Sequence, residues 1–320
     1  MHTADINSVA CIGAGTIGAS WASYFLWKKI PTCVQDINET ALARARSLIE
    51  SNLQFFVDKG LMSHEGLITA KNDVRYVTNI ADAVQGVPFI QESALENYDV
   101  KRSILQEVDA VNPTAIFASS TSGLLISEIQ KQSHYPGRCI TAHPFNPPHL
   151  VPLVELVLGK STDEATFKMA YEFYKSIGKM PIRVNKEVPG HIANRIAMAL
   201  WRECIDVVMN EVCSAEDVDL ACCYGPGLRY AVMGPHLIYQ LGGGEKGIRG
   251  IIDHIGPSIE MWWDDMATWQ RFPEGCRDVL EQGVNAEMCR RKDDEGKTAA
   301  EIAVWRDEKL VEILKVLNRF

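Results

Sequence analysis

A histidine and a glutamate twelve residues apart carry the most readable chemistry in this chain. His143 opens the run His-Pro-Phe-Asn-Pro-Pro, and Glu155 sits inside the apolar run Leu-Val-Glu-Leu-Val. A neutral imidazole is available near pH 7 to take a proton from a hydroxyl. A carboxylate on its other ring nitrogen fixes the tautomer and stabilises the imidazolium. A glutamate in an apolar strand is costly unless paired, so Glu155 is expected to pair with His143. The competing reading is a glutamate on the solvated face of an edge strand. Three further polar clusters, 92–96, 119–122 and 190–195, follow apolar runs or open a helical stretch. Each also has a plain structural reading as a cap, a turn or a surface polar residue.

The second chemistry is phosphate binding. The apolar residues 9–12 run into Gly13, Gly15 and Gly18, and Asp36 follows eighteen residues after the last glycine. Gly13 allows a tight turn, Gly15 lets the backbone approach a pyrophosphate, and Gly18 lets a helix pack closely on its strand. Thr16 and Ile17 fall in the first turn of that helix, whose free N–H groups suit phosphates. Asp36 ends the next apolar run, where a carboxylate binds ribose hydroxyls and repels a 2′-phosphate. Ile37 and Asn38 follow, with no arginine to hold that phosphate. The expected cofactor is NAD, not NADP.

These residues need a scaffold that brings strand ends together. Strands are expected at 9–12, 32–35, 74–78, 87–92, 115–119, 138–142, 153–158 and 180–184. Helical segments such as 39–59, 99–111 and 163–177 lie between them. The alternation implies a doubly wound α/β sheet of the Rossmann type, with helices on both faces. Dinucleotide sheets bind ligands beyond the carboxyl ends of their strands, where the polar clusters fall. Beyond Pro189 and Gly190 the pattern becomes almost purely helical, with segments at 192–212, 215–223, 275–290 and 298–317. The expected domains are a dinucleotide-binding domain over 1–187 and an all-helical C-terminal domain over 188–320.

Composition narrows the function classes. The chain has 320 residues, 47% hydrophobic and 23% charged, with a net charge of −9. No basic stripe is available for nucleic acid. Residues 6–27 carry no charge, which a buried strand and helix explain better than a membrane span. Nine scattered cysteines read as free thiols in a reducing, cytoplasmic setting. The expected partner is a small-molecule substrate, with no nucleic acid and no membrane.

Taken as a set, these motifs resemble the 3-hydroxyacyl-CoA dehydrogenase superfamily over roughly residues 8–215. The matching pieces are the Gly13–Gly18 motif, Ser-Ser-Thr-Ser ending at Ser122, His143 to Pro147, Leu-Val-Glu ending at Glu155, and Pro-Gly-x-x-x-Asn-Arg containing Asn194. The resemblance implies His143 as base, Glu155 as its partner, and Ser122 and Asn194 as donors to the substrate oxygen. It also places Glu96 and Lys101 near the nicotinamide half of the cofactor, and it implies a homodimer through the helical domain.

The last third departs from the acyl-CoA enzymes. The segments Tyr-Gly-Pro-Gly-Leu-Arg-Tyr and Gly-Gly-Gly-Glu-Lys-Gly resemble the L-carnitine 3-dehydrogenases. A shorter version is similar to L-gulonate 3-dehydrogenases and to lambda-crystallin, a non-enzymatic alternative. A quaternary ammonium is recognised by aromatic faces. Phe145 lies beside the expected base, and Tyr230, Trp262 and Trp263 lie in the divergent region. The tryptophans equally suit a core or a dimer interface. Arg229 suits either a substrate carboxylate or an internal salt bridge.

Overall fold

Eight short runs rich in apolar and β-branched residues form one sheet. The computed structural model describes residues 6–320. The strands are β1 (Val9–Ile12), β2 (Thr32–Gln35), β3 (Val74–Val77), β4 (Phe89–Glu92), β5 (Ile116–Ser119), β6 (Cys139–Pro144), β7 (Leu153–Val157) and β8 (Met180–Val184). Their order is β3-β2-β1-β4-β5-β6-β7-β8. The first six are parallel, and the order reverses between β1 and β4, where such sheets open a ligand crevice. β7 runs antiparallel to β6, and β8 parallel to β7. Only residues 145–152 separate β6 from β7, too few for a crossover helix, so the chain turns back on itself.

Alternation along the strands feeds two cores. Val9 and Cys11 of β1 face one apolar cluster, and Ala10 and Ile12 face the other. The first unit carries α1 (Thr16–Trp27), α2 (Glu39–Asp58), α3 (His64–Asn72), α4 (Ile80–Val84), α5 (Tyr98–Val111), α6 (Ile126–Ile129) and α7 (Glu164–Ser176). Helix α2 starts at Asn38, whose side chain accepts the Ala41 amide. It buries Leu42, Ala45, Ile49, Leu53 and Phe56, a stripe at three-and-four spacing. Helix α1 is buried without interruption from Gly18 to Leu26, which accounts for its lack of charge. Trp21 stacks on Phe25 within it at 5.3 Å between ring centres.

The rest of the helices are α8 (Ala193–Met209), α9 (Ala215–Cys222), α10 (Leu228–Tyr230), α11 (Pro235–Gly242), α12 (Gly247–Asp265), α13 (Cys276–Arg290) and α14 (Ala299–Val316). Two compact units divide the chain. One extends to Arg195 and includes Glu308–Phe320; the other is Ile196–Asp307. This differs from a cut at 187/188 with everything beyond it in a second domain. The physical reason lies in hydrogen bonds and packing: the Ile192 and Ala193 amides bond Glu155, Lys315 donates to the Lys59 carbonyl at 2.7 Å, and Val311 packs into the first unit's core.

Within the second unit, a segment after α12 is tied to α8. Ala267 N–H donates to Glu203 at 3.0 Å, and the Trp269 indole N–H donates to Asp206 at 2.8 Å. The glycine-rich residues 223–227 form a wide helical turn kinked at Gly225, with φ −101° and ψ −109°. Helix α12 continues through Pro257 and leaves Met261, Trp262 and Trp263 exposed. Among the described residues no helix is long and apolar enough to cross a membrane.

Candidate active site

The turn after β1 is built for close approach. Gly13 has φ +83°, and a Cβ there would lie 2.6 Å from the Ala94 amide nitrogen. A Cβ on Gly18 would fall onto the Gly13 carbonyl oxygen. At Gly15 a Cβ would meet nothing within 4 Å, so the space over that amide is open. Thr16 and Ile17 follow in the first turn of α1. Asp36 stands at the end of β2; its carboxylate accepts the Ala14 amide at 2.8 Å and the Ile37 amide at 2.7 Å. A cavity of about 740 Å³ opens here, lined by Gly13, Gly15, Asp36, Ile37, Ser93 and Ala94 among others. An open glycine cradle at a helix N-terminus with a carboxylate at the next strand end fits NAD.

Three strands over from β1, the expected pair is made. His143 stands directly opposite Glu155 in the β6–β7 ladder, and its Nδ1 lies 2.7 Å from Glu155 Oε2. Glu155 is 0% exposed and His143 5%. The second oxygen, Oε1, accepts the Ile192 and Ala193 amides at 2.8 and 2.9 Å. Burial pushes the Glu155 carboxyl up, but the His143 ring and the two amides more than offset it, holding it below the usual carboxylate value. An ionised Glu155 assigns the proton to His143 Nδ1 and leaves a lone pair on Nε2. An imidazole held in this way can accept a proton from a hydroxyl.

Sequence reasoning did not single out His191. Its backbone is left-handed (φ +50°), directly after Gly190 at φ +76°. This double turn aims the next two amides at Glu155. The His191 ring is buried, 5.2 Å from the His143 ring, with Nε2 3.1 Å from the Thr121 carbonyl. Burial holds its pKa below the ordinary histidine value, with the His143 ring adding to that effect. Only the positive-φ tolerance of histidine next to glycine signals this role in the sequence.

Ser122 is exposed just past β5, and Asn194 is half-buried in the first turn of α8. Glu96 organises the Ser122 turn: its Oε1 accepts the Thr121 hydroxyl at 2.6 Å and the Ser122 and Gly123 amides at 2.8 and 3.2 Å. Burial raises the Glu96 pKa, yet these bonds and the Lys101 charge bring it below its usual value. Lys101, 1% exposed, is committed to protein carboxylates, with Nζ 2.7 Å from Glu92 and 3.5 Å from Glu96. Phe145 is half-buried two residues past His143. Arg229, Tyr230, Trp262 and Trp263 belong to the second unit, where all four are exposed.

Fold and site together define an oxidoreductase that binds NAD and acts on a CH–OH group. The chain belongs to the 3-hydroxyacyl-CoA dehydrogenase family: residues 8–188 match its NAD binding domain and residues 190–296 its C-terminal domain. It is similar to an L-carnitine dehydrogenase of Nocardiopsis dassonvillei, at 38% identity over 98% of this chain and 92% of the relative. A Bacillus cereus L-carnitine dehydrogenase is 36% identical over 99% and 94%. Among solved structures, the NAD-dependent 5-formyl-3-hydroxy-2-methylpyridine 4-carboxylic acid 5-dehydrogenase superposes with a TM-score of 0.81 at 29% identity, covering 98% of this chain and 99% of that one. A Ralstonia eutropha (S)-3-hydroxybutyryl-CoA dehydrogenase gives 0.68 at 26% identity, covering 87% and 95%.

Proposed function

We propose that this protein oxidises the 3-hydroxyl of L-carnitine to 3-dehydrocarnitine. The observation that carries the reaction type is the buried His143–Glu155 pair, with both carboxylate oxygens occupied and one ring nitrogen left as acceptor. His143 Nε2 takes the hydroxyl proton as the carbonyl forms, and Glu155 stabilises the resulting imidazolium. Ser122 and Asn194 donate to the substrate oxygen. NAD, held by the Gly13–Gly18 turn and Asp36 with Thr16 and Ile17 at the helix start, supplies the hydride acceptor.

The substrate reading is supported by similarity to several L-carnitine dehydrogenases at 32–38% identity along nearly the whole chain. Phe145 offers a half-buried ring to the trimethylammonium group. Arg229, Tyr230, Trp262 and Trp263, exposed on the second unit, are of the types that bind a carboxylate and an ammonium. The exposed Met261, Trp262 and Trp263 on one helix support a homodimer through the second unit. Nine free cysteines support a cytoplasmic setting.

NADH formation should be measured with L-carnitine, L-gulonate, 3-hydroxybutyrate and 3-hydroxybutyryl-CoA. The carnitine reading requires the highest kcat/KM with L-carnitine. A higher value with the CoA ester or gulonate would move the enzyme to that branch of the family. Cofactor binding without turnover of any of the four would favour a crystallin-like protein.

A further inference from the structure

The ends of β4 and β5 hold two carboxylates on a single ammonium. Glu92, the last residue of β4, is 0% exposed. Its Oε1 accepts Lys101 Nζ at 2.7 Å and the Ala94 amide at 2.7 Å, and its Oε2 accepts the Ser119 hydroxyl at 2.5 Å. Lys101 and Glu92 thus form a buried ion pair, to which the Ala94 N–H adds a second donor. Glu96 likewise accepts three donors at Oε1 while Oε2 faces Lys101. Lys101 has no third carboxylate partner among its recorded contacts, only the Ala94 carbonyl at 3.2 Å. Two carboxylates against one ammonium leave the cluster one net negative charge, with Glu92 and Lys101 buried and the Glu96 side chain 43% exposed.

Sheet order says what lies above that charge. The adenosine end of a dinucleotide belongs at Asp36 on β2, and the pyrophosphate at the glycine turn after β1. The reacting end must reach from there toward His143 on β6, and the strands between are β4 and β5. Ala94, whose amide Glu92 accepts, lines the cofactor cavity together with Ser93.

We propose that Glu92, Glu96 and Lys101 act together as an electrostatic selector for the oxidised cofactor. Their net negative charge favours the cationic nicotinamide ring of NAD over the neutral ring of NADH. It thereby helps product NADH to leave. The proposal rests on the family's NAD site and on His143 marking the reacting end.

The test is the ratio of two dissociation constants, measured separately for NAD and NADH by fluorescence titration and competition. Glu96→Gln keeps the shape and removes the charge at a partly exposed position, so it should fold. It should weaken NAD by about fivefold to tenfold while changing NADH less than about twofold. Glu92→Gln should shift the ratio the same way. Thr121→Val removes the hydroxyl bond to Glu96 without changing charge, and should leave the ratio as it was. Equal weakening of NAD and NADH in both glutamine variants would overturn the selector and leave these groups as loop supports. So would a ratio shift in Thr121→Val as large as in Glu96→Gln. If the unmodified protein bound neither nucleotide, the cofactor reading itself would fail, a result distinct from an unchanged ratio.

Discussion

His143 and Glu155 face each other across an antiparallel strand pair, with Nδ1 and Oε2 2.7 Å apart. The orientation of β7 is what makes this possible. Paired residues on adjacent antiparallel strands bring their side chains within direct reach, so the ladder itself sets the imidazole. The Ile192 and Ala193 amides, at the start of α8, then occupy the other carboxylate oxygen and hold Glu155 in place.

Replacing His143 with Ala should lower kcat by about two to four orders of magnitude. NADH affinity should stay near that of the unmodified protein, because the base acts on substrate. Steady-state rates and NADH fluorescence titration check both halves. Near-normal turnover would make His143 a structural residue.

Glu155→Gln should lower kcat and also change acid stability. The folded-state pKa of Glu155 lies below its ordinary 4.5, so its contribution to stability is fully present above that value. It is lost as pH falls from there through the folded value. The gap in unfolding free energy between the two proteins should therefore be largest near neutrality and shrink below pH 4.5. Urea titrations at neutral and acid pH measure it, and a gap that widens on acidification contradicts the assignment.

Asp36→Ala should weaken NAD binding and narrow the preference over NADP. The variant loses a ribose acceptor, and it also frees the Ala14 amide that Asp36 holds at 2.8 Å. Equal use of NAD and NADP by the unmodified protein would contradict this reading of Asp36.

Phe145→Ala should raise KM for L-carnitine more than it lowers kcat. Ammonium contact is nearly the same in ground and transition states, so its loss is mainly a binding loss. A substrate lacking the trimethylammonium group should show little change in KM. An equal rise for both substrates would indicate a general packing defect.

Much of this molecule was determined by local pattern. The strand–glycine–helix motif, Asp36, the alternating strands and the buried stripe of α2 all arise from neighbours in sequence, where periodicity and turn chemistry act. His143 and Glu155 were legible for the same reason: a charge in an apolar strand demands a partner, and one stood twelve residues away. Periodicity carried no expectation for α11 and α12, where glycines and Pro257 interrupt the pattern that α12 nonetheless continues through. Only the tertiary structure decided how Glu155 is clamped, because the amides that do it lie 37 and 38 residues further on and are aimed by two consecutive left-handed residues. It also turned Lys101 inward onto Glu92, and returned Glu308–Phe320 to the first unit. Contacts of that range depend on where whole elements pack, and no short window of residues encodes them.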